Sequence, residues 1–326
     1  MTTMRALVRI PGGVELVERP RPTPQRGEVL VRIEAAPINP NDLLHLEERY
    51  EVQRPLGAVC GFEGSGTVIE AGGGMMARWL VGRRVALAST LGDGTWAEYA
   101  CAPMLQCAPL GKGVDVRQGS MLLTNPMTAT VLLDLARRGG HRAIVQNAAA
   151  GALGKMIVRA CARRGIPLVN VVRRAEQAAM LRELGAQHVV VSSDADAATQ
   201  LRELCHRLDV TFALDAIAGD ATGELAAALP KHATLVVYGM LSGAPCTLSA
   251  DALVFGRLRV EGFTMYAWLE RTSMLGKLMT LRAAQRRLHD DLRADVRATF
   301  SLADHAEALR LARSSASDGK ILFTPQ

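Results

Sequence analysis

Residues 146–155, QNAAAGALGK, carry almost no side-chain bulk, yet they join an apolar run (Ala143-Ile144-Val145) to a helix-like one (Met156-Ile157-Val158-Arg159-Ala160-Cys161). A strand that turns into a helix through such residues presents bare amide N–H groups and the positive end of a helix dipole. That combination holds the pyrophosphate of a dinucleotide. The pattern G-x-G-x-x-G falls on Ala149, Gly151 and Gly154, with Ala150, Ala152 and Leu153 between them. Its first glycine is replaced, so the motif is weak alone, and small residues packing a helix on a sheet would look alike. A second pair of candidates is Arg173-Arg174, which closes the apolar run PLVNVV. A free ribose 2′-hydroxyl is held by a carboxylate about 20 residues beyond the glycines, and a 2′-phosphate by arginine. No Asp or Glu stands at this tip, which predicts NADPH over NADH, although two surface arginines of no function would read the same.

What decides for a cofactor is the rhythm of the surrounding elements. From about residue 140, the runs RAIVQN, PLVNVV, HVVVS, VTFALDAI, TLVVYGM and RLRVEGF alternate with helical stretches such as AEQAAMLRELG and DAATQLRELCHRL. Near-continuous apolar strands between amphipathic helices predict a parallel sheet covered on both faces. Strands in this order predict a doubly wound, dinucleotide-binding α/β domain at 121–263. The segments 1–120 and 264–326 read as one discontinuous, mostly β domain into which the cofactor unit is inserted.

Composition excludes several classes of function. The chain has 326 residues, 49% hydrophobic and 21% charged, enough for two domains of ordinary size. Its formal charge of +6 comes from arginines scattered through helices. With no basic block, nucleic acid is not an expected partner. No apolar run reaches the length of a membrane span. The N-terminal MTTMRALVRI has neither signal-peptide regions nor an amphipathic leader, which predicts a cytoplasmic protein. The cysteines Cys60, Cys101, Cys107, Cys161, Cys205 and Cys246 form no CxxC pair and read as reduced, mostly buried thiols.

A split β domain around a dinucleotide-binding unit resembles the medium-chain dehydrogenase/reductase superfamily across essentially the whole chain. EVLVRIEAAPINPND, CGFEGSGTVIEAG, GRRVA, GTWAEYA and the C-terminal GKILF all recur there in similar form. The resemblance implies a chaperonin-10-like catalytic domain and a Rossmann domain. Many such proteins hold a catalytic zinc through Cys or His at the first position and a His before the Glu of a GHE-like stretch. Here those positions are Asn39 and Phe62, so no metal is expected, and His45 and Cys60 are expected to be packed.

Within the superfamily, QNAAAGALGKMIVRACARRGIPLVNVVRR and TNPMTA are similar to stretches of the mitochondrial-type 2-enoyl thioester reductases, as is VVYGMLS with DALVFGRLRVEGFTMYAW. The resemblance implies reduction of an α,β-unsaturated thioester, carried on coenzyme A or an acyl carrier protein. It places Tyr50 in INPNDLLHLEERY as the active-site tyrosine, a donor to the enolate oxygen or a proton source. Asn125, Thr128, Tyr238, Gly239, Met240, Phe263 and Lys320 are placed around the cofactor. A capping role for Asn125 and a purely structural Tyr50 are the plain alternatives. Some positions depart from the family: Ala175 holds the second basic position, Thr264 replaces a tryptophan, and the family's YGG is Tyr238-Gly239-Met240. These line the nicotinamide and acyl region and leave chain-length specificity open. A zinc-free quinone or enone reductase, whose relatives share the tyrosine, and a non-catalytic NADPH-binding protein are the competing readings. RLRVEGF, expected as the last strand of the nucleotide sheet, predicts a homodimer paired edge to edge.

Overall fold

The apolar runs of the middle of the chain form one six-stranded sheet in the computed structural model, which describes residues 2–89, 92–314 and 318–325. The strand order is His188–Val191, Leu168–Val172, Ile144–Gln146, Phe212–Asp215, Thr234–Val237 and Arg259–Gly262. Every neighbouring pair is parallel. The strand first in sequence lies inside the sheet, and the order reverses beside it. The carboxyl end of that strand is therefore the topological switch point, the place where ligands bind in such sheets. Val145, Val169, Val190, Ala213 and Leu235 are buried on the sheet. The helix Ala152–Arg164 turns Met156, Ile157, Ala160 and Cys161 inward and stops at Gly165, which takes the left-handed conformation (φ 64°) that a side chain would resist.

The chain divides into two compact units, Met1–Pro126 with Arg293–Gln326, and Met127–Leu292. The segment 264–292, expected with the outer domain, lies with the nucleotide unit. It is helical over Met265–Arg271 and Met274–Arg286. What holds it there is long-range: the Asp291 carbonyl accepts from Arg159 Nε at 3.3 Å. Arg163 reaches Asp290 at 2.8 Å, and Ala284, Leu288 and Leu292 are buried.

The spine of the outer unit is Glu28–Pro37, antiparallel to Glu63–Ala71 on one side and to Tyr99–Pro103 on another. Val29, Leu30, Val31 and Ile33 are fully buried along it. The approach to Glu63–Ala71 is so close that a Cβ on Gly66 would stand 1.9 Å from Arg32 O, so only glycine serves there. The strand Lys320–Phe323 pairs with this spine and runs parallel to Val296–Phe300 on its other edge. Trp96 is the keystone of the core, with 0% exposure, its ring edge-on to Phe323 at 5.2 Å and its indole N–H donating to Pro37 O at 3.1 Å.

All six cysteines are free; Cys60, Cys107, Cys161 and Cys205 are buried, and desolvation pushes their thiols up to about 12. No helix among the described residues is long and apolar enough to cross a membrane.

Trp96→Ala removes the largest buried side chain of the outer core and orphans Pro37 O. It should cost about 3–5 kcal/mol, as large aromatic truncations do. A denaturant midpoint left where the parent's lies would refute the assignment of Trp96 as keystone.

Candidate functional site

The strand Ile144–Gln146 ends in a turn whose strained residue is Ala148, at φ 47°. Position 149 needs no positive φ, which is why alanine can stand where the usual pattern has glycine. Gly151 caps the helix in an extended conformation, and its N–H returns to Ala148 O at 2.9 Å. The first helical amide with an acceptor is Lys155, on Gly151 O. Among the described residues, the N–H groups of Ala152, Leu153 and Gly154 have none. Three unmet donors at the positive end of a helix dipole are an anion site. Gly154 is obligatory, because a Cβ there would lie 2.4 Å from Ala149 O. Ala150, buried, completes the turn.

Buried polar side chains with no motif to announce them hold this turn. Gln146 Nε2 donates to Gly154 O at 3.1 Å and to Asn170 Oδ1 at 2.8 Å, while Asn170 Nδ2 donates to His188 O at 3.1 Å. One chain of bonds thus crosses three strands beneath the phosphate turn. Asn147 donates to Asp215 Oδ1 at 2.6 Å and accepts from the amide of Ala216 at 2.7 Å. Asp215 also accepts from the amides of Ile217 and Ala218 and from Thr222 Oγ1. The one sequence signal that could have found them is the polar residue closing an apolar strand, in IVQN and FALD. Tyr238 N donates to Asp215 O at 2.8 Å, and a Cβ on Gly239 would meet Ala216 O at 2.5 Å. The Tyr238-Gly239-Met240 segment is thereby brought against the loop after Asp215. Burial, then Asp215, raises the Tyr238 phenol. Met240 is exposed, and Phe263 comes directly after the last strand with its N–H on Val237 O.

At the end of Leu168–Val172, the amides of Arg173 and Arg174 both donate to Gln177 Oε1, at 3.1 and 3.2 Å. This fixes the backbone and leaves the side chains in solvent. The Arg173 guanidinium has no partner among the described residues, and that of Arg174 lies 3.9 Å from Glu176, too exposed a pair to matter. Both can meet an added anion.

The outer unit gathers a buried polar cluster. Asn39 caps the helix Pro40–Leu46, and its amide N–H donates to Asp42 Oδ2 at 2.8 Å. Asp42 Oδ1 accepts from Phe62 N at 3.0 Å; burial nonetheless lifts this carboxyl to about 6, against the pull of those amides, Arg54 and Lys320. Glu63 accepts from Asn39 Nδ2 at 2.8 Å and from Thr124 N at 3.0 Å, and burial lifts it to about 7. Lys320, expected at the nicotinamide, is buried and spends its ammonium on Ile38 O and Asn39 Oδ1. Desolvation lowers its pKa, and Glu63 and Asp42 oppose that. Sheet pairing is the reason for its position, since Ile38 N donates to Ile321 O and brings the two segments together.

Tyr50 is half-buried and edge-on to Phe62 at 5.2 Å, with the Asn41 side chain beside its hydroxyl. Burial, then Glu51, raises its pKa against the downward pull of Asn41, so at neutral pH the phenol is a donor. Asn125 is the first helical residue of Asn125–Arg138 rather than the cap before it, and Thr128 is buried in the next turn.

These residues do not fit a catalytic zinc. The Asn39 amide is occupied on both sides, and Phe62 offers a phenyl ring, under the Arg54 guanidinium at 4.5 Å. His45 turns Nδ1 to Val52 O at 3.2 Å. Among the described residues no three His, Cys, Asp or Glu side chains converge to hold a metal.

Residues 25–112 match the alcohol dehydrogenase GroES-like domain family, and residues 152–280 match the zinc-binding dehydrogenase family. The mitochondrial enoyl-[acyl-carrier-protein] reductase of Caenorhabditis elegans is 31% identical over 256 residues, 76% of this chain and 71% of that protein. The crystal structure of a candidate NADPH:quinone reductase from Mesorhizobium loti superposes with a TM-score of 0.91 at 30% identity, covering 100% of each chain. The quinone oxidoreductase of Thermus thermophilus, solved also in complex with NADPH, is 25% identical with a TM-score of 0.81, over 98% of this chain and 100% of its own.

Arg173→Ala tests the arginine pair. A hydrogen bond to a charged group is worth about 1.5–3 kcal/mol, so NADPH should bind roughly 10- to 150-fold more weakly and NADH almost unchanged. Fluorescence titration of both nucleotides checks this. Equal losses for the two would remove Arg173 from the 2′-phosphate.

Proposed function

The chain belongs to the medium-chain dehydrogenase/reductase superfamily, an oxidoreductase lineage, and from that premise we propose that it reduces the carbon–carbon double bond of a 2-enoyl thioester with NADPH and without zinc. The observation that carries this reading is the phenol of Tyr50, a half-buried donor held protonated in a unit whose zinc-ligand positions are an amide and a phenyl ring. An oxyanion that no metal stabilises needs such a donor. The cofactor half of the reading rests on the unmet amides of Ala152, Leu153 and Gly154 and on Arg173, unpartnered among the described residues. The 2-enoyl thioester is taken from relatives named enoyl-[acyl-carrier-protein] reductases.

NADPH, when bound, supplies the hydride. The helix amides and dipole of 152–154 hold its pyrophosphate, and Arg173 with Arg174 selects the 2′-phosphate. Tyr238, Gly239, Met240 and Phe263, which come after the last two strands of the nucleotide sheet, border the nicotinamide side, with Asn125 and Thr128 as further contacts. Hydride addition at the β-carbon moves charge through the α-carbon to the thioester oxygen. Tyr50 donates a hydrogen bond to that oxygen or delivers the proton to the α-carbon, and the Asn41 side chain orients the phenol. Lys320 spends two of its three N–H donors on Ile38 O and Asn39 Oδ1 within the outer unit.

A second reading, reduction of a quinone or enone, is favoured by the likeness to the Mesorhizobium loti protein over the full length of both chains. Turnover of crotonyl-type thioesters against that of simple quinones separates the two. Preference for quinones by kcat/KM would overturn the thioester assignment.

We further propose a homodimer. The edge strand Arg259–Gly262 is exposed along its length, and Val254, Phe255, Met274, Leu275 and Met279 of the same unit are exposed as well. A two-fold axis would join two such edges and cover the apolar side chains. Val260→Pro deletes one ladder donor and should shift the protein toward monomer in light scattering; a parent already monomeric at working concentration would sink the idea.

Tyr50→Phe keeps the ring on Phe62 and deletes the hydroxyl. Contributions of this kind are worth roughly 10²–10⁴ in rate. The loss should fall on kcat, with KM little changed, the mark of an interaction made in the transition state. Single-turnover reduction of an enoyl thioester within a few-fold of the parent would take Tyr50 off the catalytic list.

A further inference from the structure

Two hydrogen-bond donors converge on one buried carboxylate, and they belong to the two segments of the outer unit that carry Tyr50 and Asn125. Glu63 is 2% exposed and accepts from Asn39 Nδ2 and from the backbone amide of Thr124. Neither partner can reverse its role. A backbone N–H only donates. The Asn39 carboxamide is fixed in orientation because its Oδ1 already accepts from Lys320, which has donors alone. Position 63 must therefore present two acceptor oxygens. A carboxamide would turn its NH2 group on one of the two partners and leave that pair unsatisfied.

Each partner governs the segment after it in the chain. Asn39 caps the helix Pro40–Leu46, and Tyr50 stands four residues beyond that helix, on the loop it launches. Thr124 immediately precedes the first turn of Asn125–Arg138. The carboxylate is itself held in place, because the carbonyl of Glu63 accepts from Thr95 Oγ1 at 2.7 Å. Lys320 balances its charge through the shared Asn39, with Asp42 as the other charged neighbour.

We propose that Glu63 is a positioning residue for the reduction: its two carboxyl oxygens set the Tyr50-bearing and Asn125-bearing segments at once. This rests on the reading of Tyr50 and Asn125 as substrate-side and cofactor-side residues. It predicts that geometry, and not charge balance alone, is what turnover requires of position 63.

The test compares Glu63→Gln with Glu63→Asp, both with Lys320 in place to hold the Asn39 carboxamide. Glu63→Gln keeps the size, loses one acceptor and leaves the buried lysine with Asp42 alone. It should lower kcat by about 100-fold, the cost of misplacing a reacting group by roughly an ångström, with KM and NADPH affinity within a few-fold. Glu63→Asp keeps the charge but is one methylene too short to reach Asn39 and Thr124 together, so its thermal midpoint should lie nearer the parent's while kcat stays low. Recovery of kcat in Glu63→Asp would show that Glu63 serves only as the counter-charge and would overturn the proposal, as would a Glu63→Gln variant that turns over like the parent. If Glu63→Gln does not fold, Glu63→Asp carries the same comparison. Hydrogen exchange at the Thr124 amide reads the bracket without reference to activity: slow in the parent and faster in both variants is expected, and equal rates would overturn it. Failure of the parent itself to reduce a thioester strikes the functional reading and leaves the exchange measurement standing.

Discussion

A carboxyl group taken out of water costs on the order of several kcal/mol unless donors meet it. Three such groups, Asp42, Glu63 and Asp215, stand at the ends of strands or helices in this protein, each at 2% exposure or less. Their donors are mostly backbone amides of the neighbouring loops: Asn39 and Phe62 for Asp42, Thr124 for Glu63, Ile217 and Ala218 for Asp215. The loops around the candidate site therefore have few conformations open to them. Moving any of them away would strand a buried charge or an unmet amide. The apolar sheets give the two units their stability, and the carboxyl groups give the loops their shape.

The same constraint separates what the sequence discloses from what it hides. A strand such as Leu168–Val172 is legible because both faces are buried and all its residues but Asn170 are apolar. The phosphate turn is legible because Gly154 has no alternative. Arg173 is legible from its place at a strand tip. Lys320 is not, because its partner Asn39 lies 281 residues earlier and only the completed sheet brings them together. Asn147 and Asp215 are hidden for the same reason: each looks like an ordinary loop residue until its partner across the switch point is known. The helices over 264–292 read as part of the outer domain because their attachment is made by Arg159 to the Asp291 carbonyl and by Arg163 to Asp290, long-range bonds with no local pattern.

The departure from the zinc-bearing members is also electrostatic. A divalent ion would offer two positive charges to the carboxyl groups around it. Here the available cations are the Lys320 ammonium and the Arg54 guanidinium, and neither is in direct ion-pair contact with Glu63 or Asp42. Burial outweighs the pull of these cations and lifts the two carboxyl groups to about 6 and about 7. In the proposed reduction a lone phenol donor takes the place of a metal and meets the developing negative charge with a hydrogen bond.

The split outer unit has a consequence for synthesis. The ribosome finishes Glu28–Pro37 and Glu63 long before Lys320–Phe323 exists, with the whole nucleotide unit made in between. Until the last strand docks, the spine keeps an open edge and Glu63 has no lysine to balance it. The inserted unit, with its pairings all internal, can complete its sheet first. The outer sheet must then close a loop spanning most of the chain, a slow step of high contact order. The nascent protein thus passes through a stage in which its cofactor unit is finished and its catalytic unit is an exposed sheet edge, the interval in which a chaperone would matter most.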